Sequence, residues 1–330
     1  MSLSDFLTSY GLFVVELLTA LLLLAGLVAF VAIIARRGGE PAGALSVEKL
    51  NDSFEQMRDA VNEVLLDRKH VRQARKTRKR EDKRRSKQTE DARPRVYVID
   101  FKGDLQASAT ASLRQEINAI LAVASEGETV LLRLDNAGGI VHEHGLAASQ
   151  LLRLKGGGLQ LIAAVDKVAA SGGYMMASVA DRIMAAPFAI VGSIGVAVQL
   201  PNFHRLLESK GVDYEQVTAG RFKRTLTLFG ENTDEARSKV KSEVEDIHLL
   251  FKALIAEHRP QIDLDAVATG EHWYGTKALE LGLIDELKTS DEYLLERLTE
   301  ADVYQFEYKR RRTLPERVSA AAQSLAGLWR

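Results

Sequence analysis

Apolar positions fall into three regimes along the chain. From Leu17 to Ala35 they are nearly continuous, with Thr19 the only polar residue. Nineteen residues at about 1.5 Å each span about 28 Å, close to the hydrocarbon thickness of a bilayer, so a membrane-spanning helix is predicted here. The N-terminus carries Asp5 and no Lys or Arg before the span, which is not the basic start of a cleaved signal peptide. Gly38, Gly39, Pro41 and Gly43 then interrupt the helix. A second helix is predicted from Ser46 as N-cap, with Leu45 and Leu50 as a hydrophobic staple. Its apolar stripe runs through Leu50, Phe54, Met57, Val61 and Val64 or Leu65, and such a stripe calls for a partner surface.

Beyond Pro94 the third regime begins, with short β-branched runs alternating with helical periods. Val96 to Asp100, Thr129 to Leu134, Leu159 to Val165 and Arg182 to Ala186 read as strands, and 109–125, 141–155 and 171–180 as helices. Strands separated by helices imply parallel βαβ units with right-handed crossovers, hence an α/β domain. The organisation expected is an anchor over 1–37, an amphipathic and basic linker region over 38–93, a folded domain over 94–310 and a C-terminal amphipathic helix over 311–330.

Composition narrows the classes. The chain has 330 residues, no cysteine, and a net charge of −1. Without thiols there are no disulfides, thiolate metal sites or thiol nucleophiles. The charge is an average over unlike parts: residues 68–87 hold twelve Lys and Arg against Glu81 and Asp82, a sum of +10, so the remainder carries −11. A block of that kind reads as a solvated linker helix, as attraction to anionic lipid or as nucleic-acid contact; no interleaved aromatic residues support the last, and no nucleic-acid partner is expected. Arg36 and Arg37 follow the span directly, and the positive-inside rule then leaves the long C-terminal part in the cytoplasm.

Candidate chemistry sits in three glycine-rich loops that follow successive strands. These are Asp135-Asn136-Ala137-Gly138-Gly139, Ala169-Ala170-Ser171-Gly172-Gly173-Tyr174 and Gly192-Ser193-Ile194-Gly195-Val196. In an open α/β sheet, loops beyond the carboxyl ends of the strands gather on one side. None matches a phosphate cradle, which points away from nucleotide binding. Ser171 opens a predicted helix, where donors and the helix N-terminus favour an oxyanion; an ordinary N-cap serine would also fit that position. A serine nucleophile needs a base. Of the seven histidines, His142 and His144 follow the Gly138-Gly139 loop and are the best of their type. Lys223, in Thr218-Ala219-Gly220-Arg221-Phe222-Lys223-Arg224-Thr225, is the stronger candidate. A lysine acts as a base only when neutral, a state that burial and neighbouring cations such as Arg221 and Arg224 favour.

These motifs, together with the N-terminal span and the basic linker, resemble the S49 family of Ser-Lys peptidases, in particular its membrane-anchored bacterial members. The segment Glu271-His272-Trp273-Tyr274, leading into Ala278-Leu279-Glu280-Leu281-Gly282-Leu283-Ile284-Asp285, is similar to a closing segment shared with Clp-protease and crotonase-like folds. The resemblance covers nearly the whole chain. It implies a crotonase- and Clp-protease-like α/β core and a ring-shaped homo-oligomer in which the lysine can come from a neighbouring protomer. It further implies Ser171 as nucleophile, Lys223 as general base and Ser193 as the hydroxyl orienting that base. Gly138, Gly139 and Gly172 would form the oxyanion and substrate loop. The activity implied is a membrane-anchored serine endopeptidase of a bacterial inner membrane, acting on unfolded or signal-peptide-like polypeptides without a cofactor or metal. Related signal-peptide peptidases work on the outer side, against the charge argument. One position departs from the pattern: the residue two before the lysine is often acidic or neutral in relatives, and here it is Arg221. Two other readings remain, a catalytically inactive membrane scaffold of the same fold and a crotonase-like acyl-CoA enzyme.

Overall fold

A computed structural model describes residues 43–67 and 93–310, together with 11–19, 21–23, 26 and 76. Most of the expected span Leu17 to Ala35, the basic block 68–87 apart from Lys76, and the expected C-terminal helix 311–330 lie outside the described residues. Among the described residues no helix is long and apolar enough to cross a membrane.

The first element is an edge strand, β1 (Ala44–Lys49), followed by helix α1 (Leu50–Leu65). Ser46, expected as a helix N-cap, lies within β1, and the helix starts four residues later with Lys49 in the cap position. β1 lies at the edge of the large sheet beside the last strand of the domain, and tertiary pairing overrides the capping signal. Leu50 packs into the core and Asn51 is buried, whereas Met57, Val61, Val64 and Leu65 of the expected stripe are exposed.

The chain then runs β2 (Arg95–Lys102), α2 (Thr110–Val123), β3 (Thr129–Asp135), α3 (Val141–Gly156), β4 (Gln160–Val165), β5 (Val168–Ala170), α4 (Gly172–Ser178), β6 (Arg182–Ala185) and β7 (Ile190–Gly192). It continues through α5 (His204–Ser209), α6 (Asp234–His258), α7 (Leu264–Val267), β8 (His272–Tyr274), α8 (Gly275–Glu280), β9 (Glu286–Leu287), α9 (Ser290–Glu300) and β10 (Asp302–Lys309). The expected alternation beyond Pro94 is present. The fold is mixed α/β, with a seven-stranded sheet of order β1-β10-β2-β3-β4-β6-β9 and a three-stranded sheet of order β5-β7-β8. From β10 to β9 every neighbouring pair of the large sheet is parallel.

Period-two alternation divides the large sheet between two cores. Tyr97, Ile99 and Phe101 of β2 face one, with Val130, Leu132 and Leu134 of β3 and Leu161, Ala163 and Val165 of β4. Val96, Val98, Leu131, Ile162 and Ala164 face the other, against Tyr293 and Leu294 of α9. A parallel sheet covered on both faces has apolar side chains at consecutive positions, which is why these strands read as continuous apolar runs. Helices α2 and α3 close the first face through Leu113, Ile117 and Ile120 and through Ala147, Leu151 and Leu154, at helical spacing. Removing one such leucine side chain costs about 2–5 kcal/mol.

Between Ile194 and Phe251 no residue is buried. This stretch holds α5, the turn bearing Lys223 and most of α6, which is capped by the Thr233 hydroxyl and carries Asp234 and Glu235 in its first turn. Val198, Phe203, Leu206, Val217 and Phe222 are among its exposed apolar side chains.

Candidate active site

The small sheet builds the site. β5 pairs with β7 in parallel, Ala170 opposite Gly192, and β7 pairs with β8 antiparallel, Gly192 opposite His272. A bridge between Asn136 and Ala169 ties β5 to the end of β3. The three glycine-rich loops predicted to gather therefore meet at the carboxyl ends of β3, β5 and β7.

Ser171 is the residue between β5 and α4. Its φ of +52° and ψ of −119° place a non-glycine residue in a conformation costing about 1–3 kcal/mol, which the surroundings hold in place. The Ser171 amide donates to Gly192 O at 2.8 Å, and its carbonyl accepts from the Met175 amide at 2.9 Å. The side chain makes no cap hydrogen bond, so the ordinary N-cap reading does not describe it. Every residue of α4 is buried, and the Tyr174 hydroxyl donates to Leu283 O at 2.9 Å. Burial pushes the Tyr174 phenol well above its usual range, so it stays a neutral donor. The same closing segment is pinned by Arg259, whose guanidinium donates to both Asp285 carboxylate oxygens at 2.7 and 2.8 Å. The sequence singled out Ala278 to Asp285, and the structure joins that segment to the helix that Ser171 opens.

Gly138 abuts Ser171. Its φ is +91°, and a β-carbon there would lie 2.7 Å from Ser171 Cβ and 2.8 Å from the Gly172 amide nitrogen, so only glycine fits. The Gly138 amide donates to Asn136 Oδ1 at 2.9 Å and is already engaged. Among the described residues neither the Gly139 nor the Gly172 amide has an acceptor, so both are available as donors. Ser193 repeats the geometry of Ser171, with φ +51° and its amide donating to Glu271 O at 2.6 Å.

The predicted bases fall elsewhere. Lys223 lies in an exposed turn closed by its own amide donating to Gly220 O at 3.1 Å. Among the described residues its ammonium bonds neither Ser171 nor Ser193, so the single chain does not assemble the three. Arg221 does not stand free beside it: the guanidinium pairs with Glu235 of α6 and lies 5.1 Å over the Phe222 ring. Lys239 is 5.8 Å from that ring. His142 points to solvent beside Glu143, and His144 is buried with both ring nitrogens facing Ile140 O and Asn136 Oδ1. Neither histidine bonds Ser171. The frame of Asn136 and His144 was missed in the sequence, although an asparagine directly after a strand and before two glycines is a recognisable signal of a held turn. Among the described residues no three His, Asp or Glu side chains converge as metal ligands would.

The model for "Peptidase family S49 N-terminal" matches residues 5–151, and that for "Peptidase family S49" matches residues 154–304. The protein named "Probable protease SohB" of Haemophilus influenzae is 44% identical over 335 residues, covering 98% of this chain and 95% of its own length. A protein of the same name from Buchnera aphidicola subsp. Schlechtendalia chinensis is 42% identical over 304 residues, covering 89% of this chain and 100% of its own. Among solved structures, a mutant membrane-bound stomatin-specific protease in complex with a substrate peptide superposes with a TM-score of 0.40 at 13% identity, over 71% of this chain and 99% of that one.

Proposed function

The chain belongs to peptidase family S49, and on that premise we propose that it is a membrane-anchored serine endopeptidase with Ser171 as nucleophile and Lys223 as general base. The observation that carries the reading is Ser171 itself: strained, uncapped, and set against Gly138 at the start of a buried helix. Neutral Lys223 takes the Ser171 proton, the alkoxide attacks a peptide carbonyl, and the amides of Gly139 and Gly172 hold the oxyanion. The protonated lysine then gives its proton to the leaving amine, and water hydrolyses the acyl-enzyme. Ser193, one strand over, orients the lysine. Unfolded or signal-peptide-like polypeptides are the substrate class, since an extended chain can add beside the small sheet.

Two features support a ring of identical subunits on a crotonase- and Clp-protease-like core. Among the described residues the Lys223 ammonium bonds neither Ser171 nor Ser193, and the stretch from Gly195 to Leu250 holds no buried residue while exposing many apolar side chains. A neighbouring copy would cover that stretch and deliver the lysine. In this reading the apolar run Leu17 to Ala35 is the anchor, and Arg36 and Arg37 favour the cytoplasmic side for the catalytic domain over the periplasmic one; protease added to intact spheroplasts should leave the domain undigested, and digestion would reverse the assignment.

The deciding experiment is cleavage of an unfolded polypeptide by the detergent-purified full chain. Activity lost in Ser171→Ala is the expected result. An inactive wild-type chain would favour the inactive scaffold of the same fold, and an unaffected variant would overturn Ser171 as the nucleophile.

A further inference from the structure

His144 sits in the first turn of α3 and is fully buried between the glycine loop and α4. A β-carbon on Gly172, the residue after the proposed nucleophile, would overlap its ring. Its Nδ1 is 2.9 Å from Ile140 O and its Nε2 3.3 Å from Asn136 Oδ1. Asn136 is buried too, and the same Oδ1 accepts the Gly138 amide while Nδ2 donates to Met176 Sδ at 3.4 Å. Its backbone is locked at both ends, the amide donating to Val168 O at 2.9 Å and the carbonyl accepting from Ala170 N at 3.0 Å. Gly138 in turn abuts Ser171. His144 thus reaches the serine through Asn136 and Gly138, besides packing against Gly172.

A ring with two polar nitrogens is a costly filler for a sealed site when an apolar side chain would pack there at no such cost. Both nitrogens face oxygens. A proton on Nε2, present in the Nε2–H tautomer and in the imidazolium, supplies Asn136 Oδ1 with a second donor besides the Gly138 amide. The acidic side chains nearest in sequence are taken up elsewhere, Glu143 beside His142 and Asp135 beside Lys167. Among the described residues the ring's hydrogen-bonding partners are these two oxygens.

The geometry points to His144 as a positioning residue: through Asn136 it fixes the Gly138-Gly139 turn against Ser171, leaving the Gly139 amide available to the oxyanion. This rests on the reading of Ser171 as nucleophile. His144 touches no reacting atom, and its loss acts on the transition state through loop geometry rather than on substrate affinity. A displacement of this kind lowers kcat by at least about tenfold.

The test uses the full chain in detergent with an unfolded polypeptide substrate. His144→Phe, which fills the space without a donor, should lower kcat at least about tenfold with KM within about twofold and an unchanged melting temperature. His144→Gln, which restores a donor, should recover a substantial part of that loss. Asn136→Ala should match His144→Phe, and the double variant should be no worse than either single one, since both act along one path. Should the phenyl ring or Asn136→Ala prevent folding, His144→Met against His144→Gln gives the same comparison. Wild-type kcat in the donor-free variant, equal losses in the donor-free and Gln variants, or additive losses in the double variant would each overturn the proposal. Retained activity in Ser171→Ala, measured alongside, would instead sink the nucleophile assignment on which it stands.

Discussion

Ser171 and Ser193 stand side by side at the carboxyl ends of two parallel strands, each the first residue beyond the paired positions Ala170 and Gly192, with φ of +52° and +51°. The Ser171 amide bonds Gly192 O, and the Ser193 amide bonds Glu271 O. Two adjacent strands thus each end in a serine with positive φ. A lone strained serine could be an accident of packing; a pair in register defines a place where a third group can meet both.

From that pairing, Ser171→Ala and Lys223→Ala should each reduce peptide cleavage to background, and the double variant should be no worse than either. Ser193→Ala should fall less, by about tenfold to a hundredfold, as expected of a group that orients the base. Initial rates on an unfolded polypeptide, with circular dichroism to show retained fold, decide it. A larger loss at Ser193 than at Ser171 would exchange their roles.

Glycine substitutions should separate by what a methyl group would strike. Gly173→Ala drives a β-carbon into the Asn136 carbonyl, which is backbone and held, whereas Gly172→Ala meets the His144 ring. Gly173→Ala should therefore lower the melting temperature more, while both abolish activity. A Gly172→Ala enzyme with normal turnover would show that the ring has room to yield.

Much of this was legible beforehand, and the limits have physical causes. Strands β2, β3, β4 and β6 and the helices between them were readable because a doubly covered parallel sheet leaves long apolar runs. Ser171, Ser193, Gly138 and Gly172 were legible as loop residues, since their glycine neighbours announce close backbone approach. Strand β1 was not: Ser46 carries a good capping signal, and only the open edge of β10 makes the segment extend. Asn136 and His144 were obscured for another reason. Their meaning lies in what their side chains bond across the fold, and no periodicity records that. Lys223 shows a third kind of limit, because its motif is readable while among the described residues its ammonium bonds neither Ser171 nor Ser193.

Asn51 tests whether the segment before the basic block is integral to the domain. Its amide donates to Leu298 O and Ala301 O, at 3.1 and 3.0 Å, and accepts the Val303 amide at 2.8 Å. Asn51→Leu strips three backbone groups of their partner and should cost about 3 kcal/mol in urea unfolding. A loss below about 0.5 kcal/mol would mean that α1 detaches freely.

Arg259, almost fully buried, holds Asp285 with two hydrogen bonds and Gly282 O with a third at 3.2 Å. Arg259→Leu leaves a carboxylate that is only partly exposed, and should destabilise by about 3 kcal/mol. Arg259→Lys should recover less than half, since an ammonium cannot form the planar two-point contact. Thermal melts of the two variants give the ratio; full recovery by lysine would reduce the pair to a charge effect.

The order of the strands in space is not their order of synthesis. Ser171 leaves the ribosome roughly a hundred residues before His272, and the N-terminal end of the chain emerges first. Yet β7, which holds the serine's amide, has its other edge closed by β8, and Ser193 is held by Glu271. β2 likewise waits for β10, and β6 for β9. A nascent chain that already displays its serine therefore cannot yet hold it in the strained turn. The small sheet around Ser171 is therefore complete only after β8, in the last fifth of the chain, has been made.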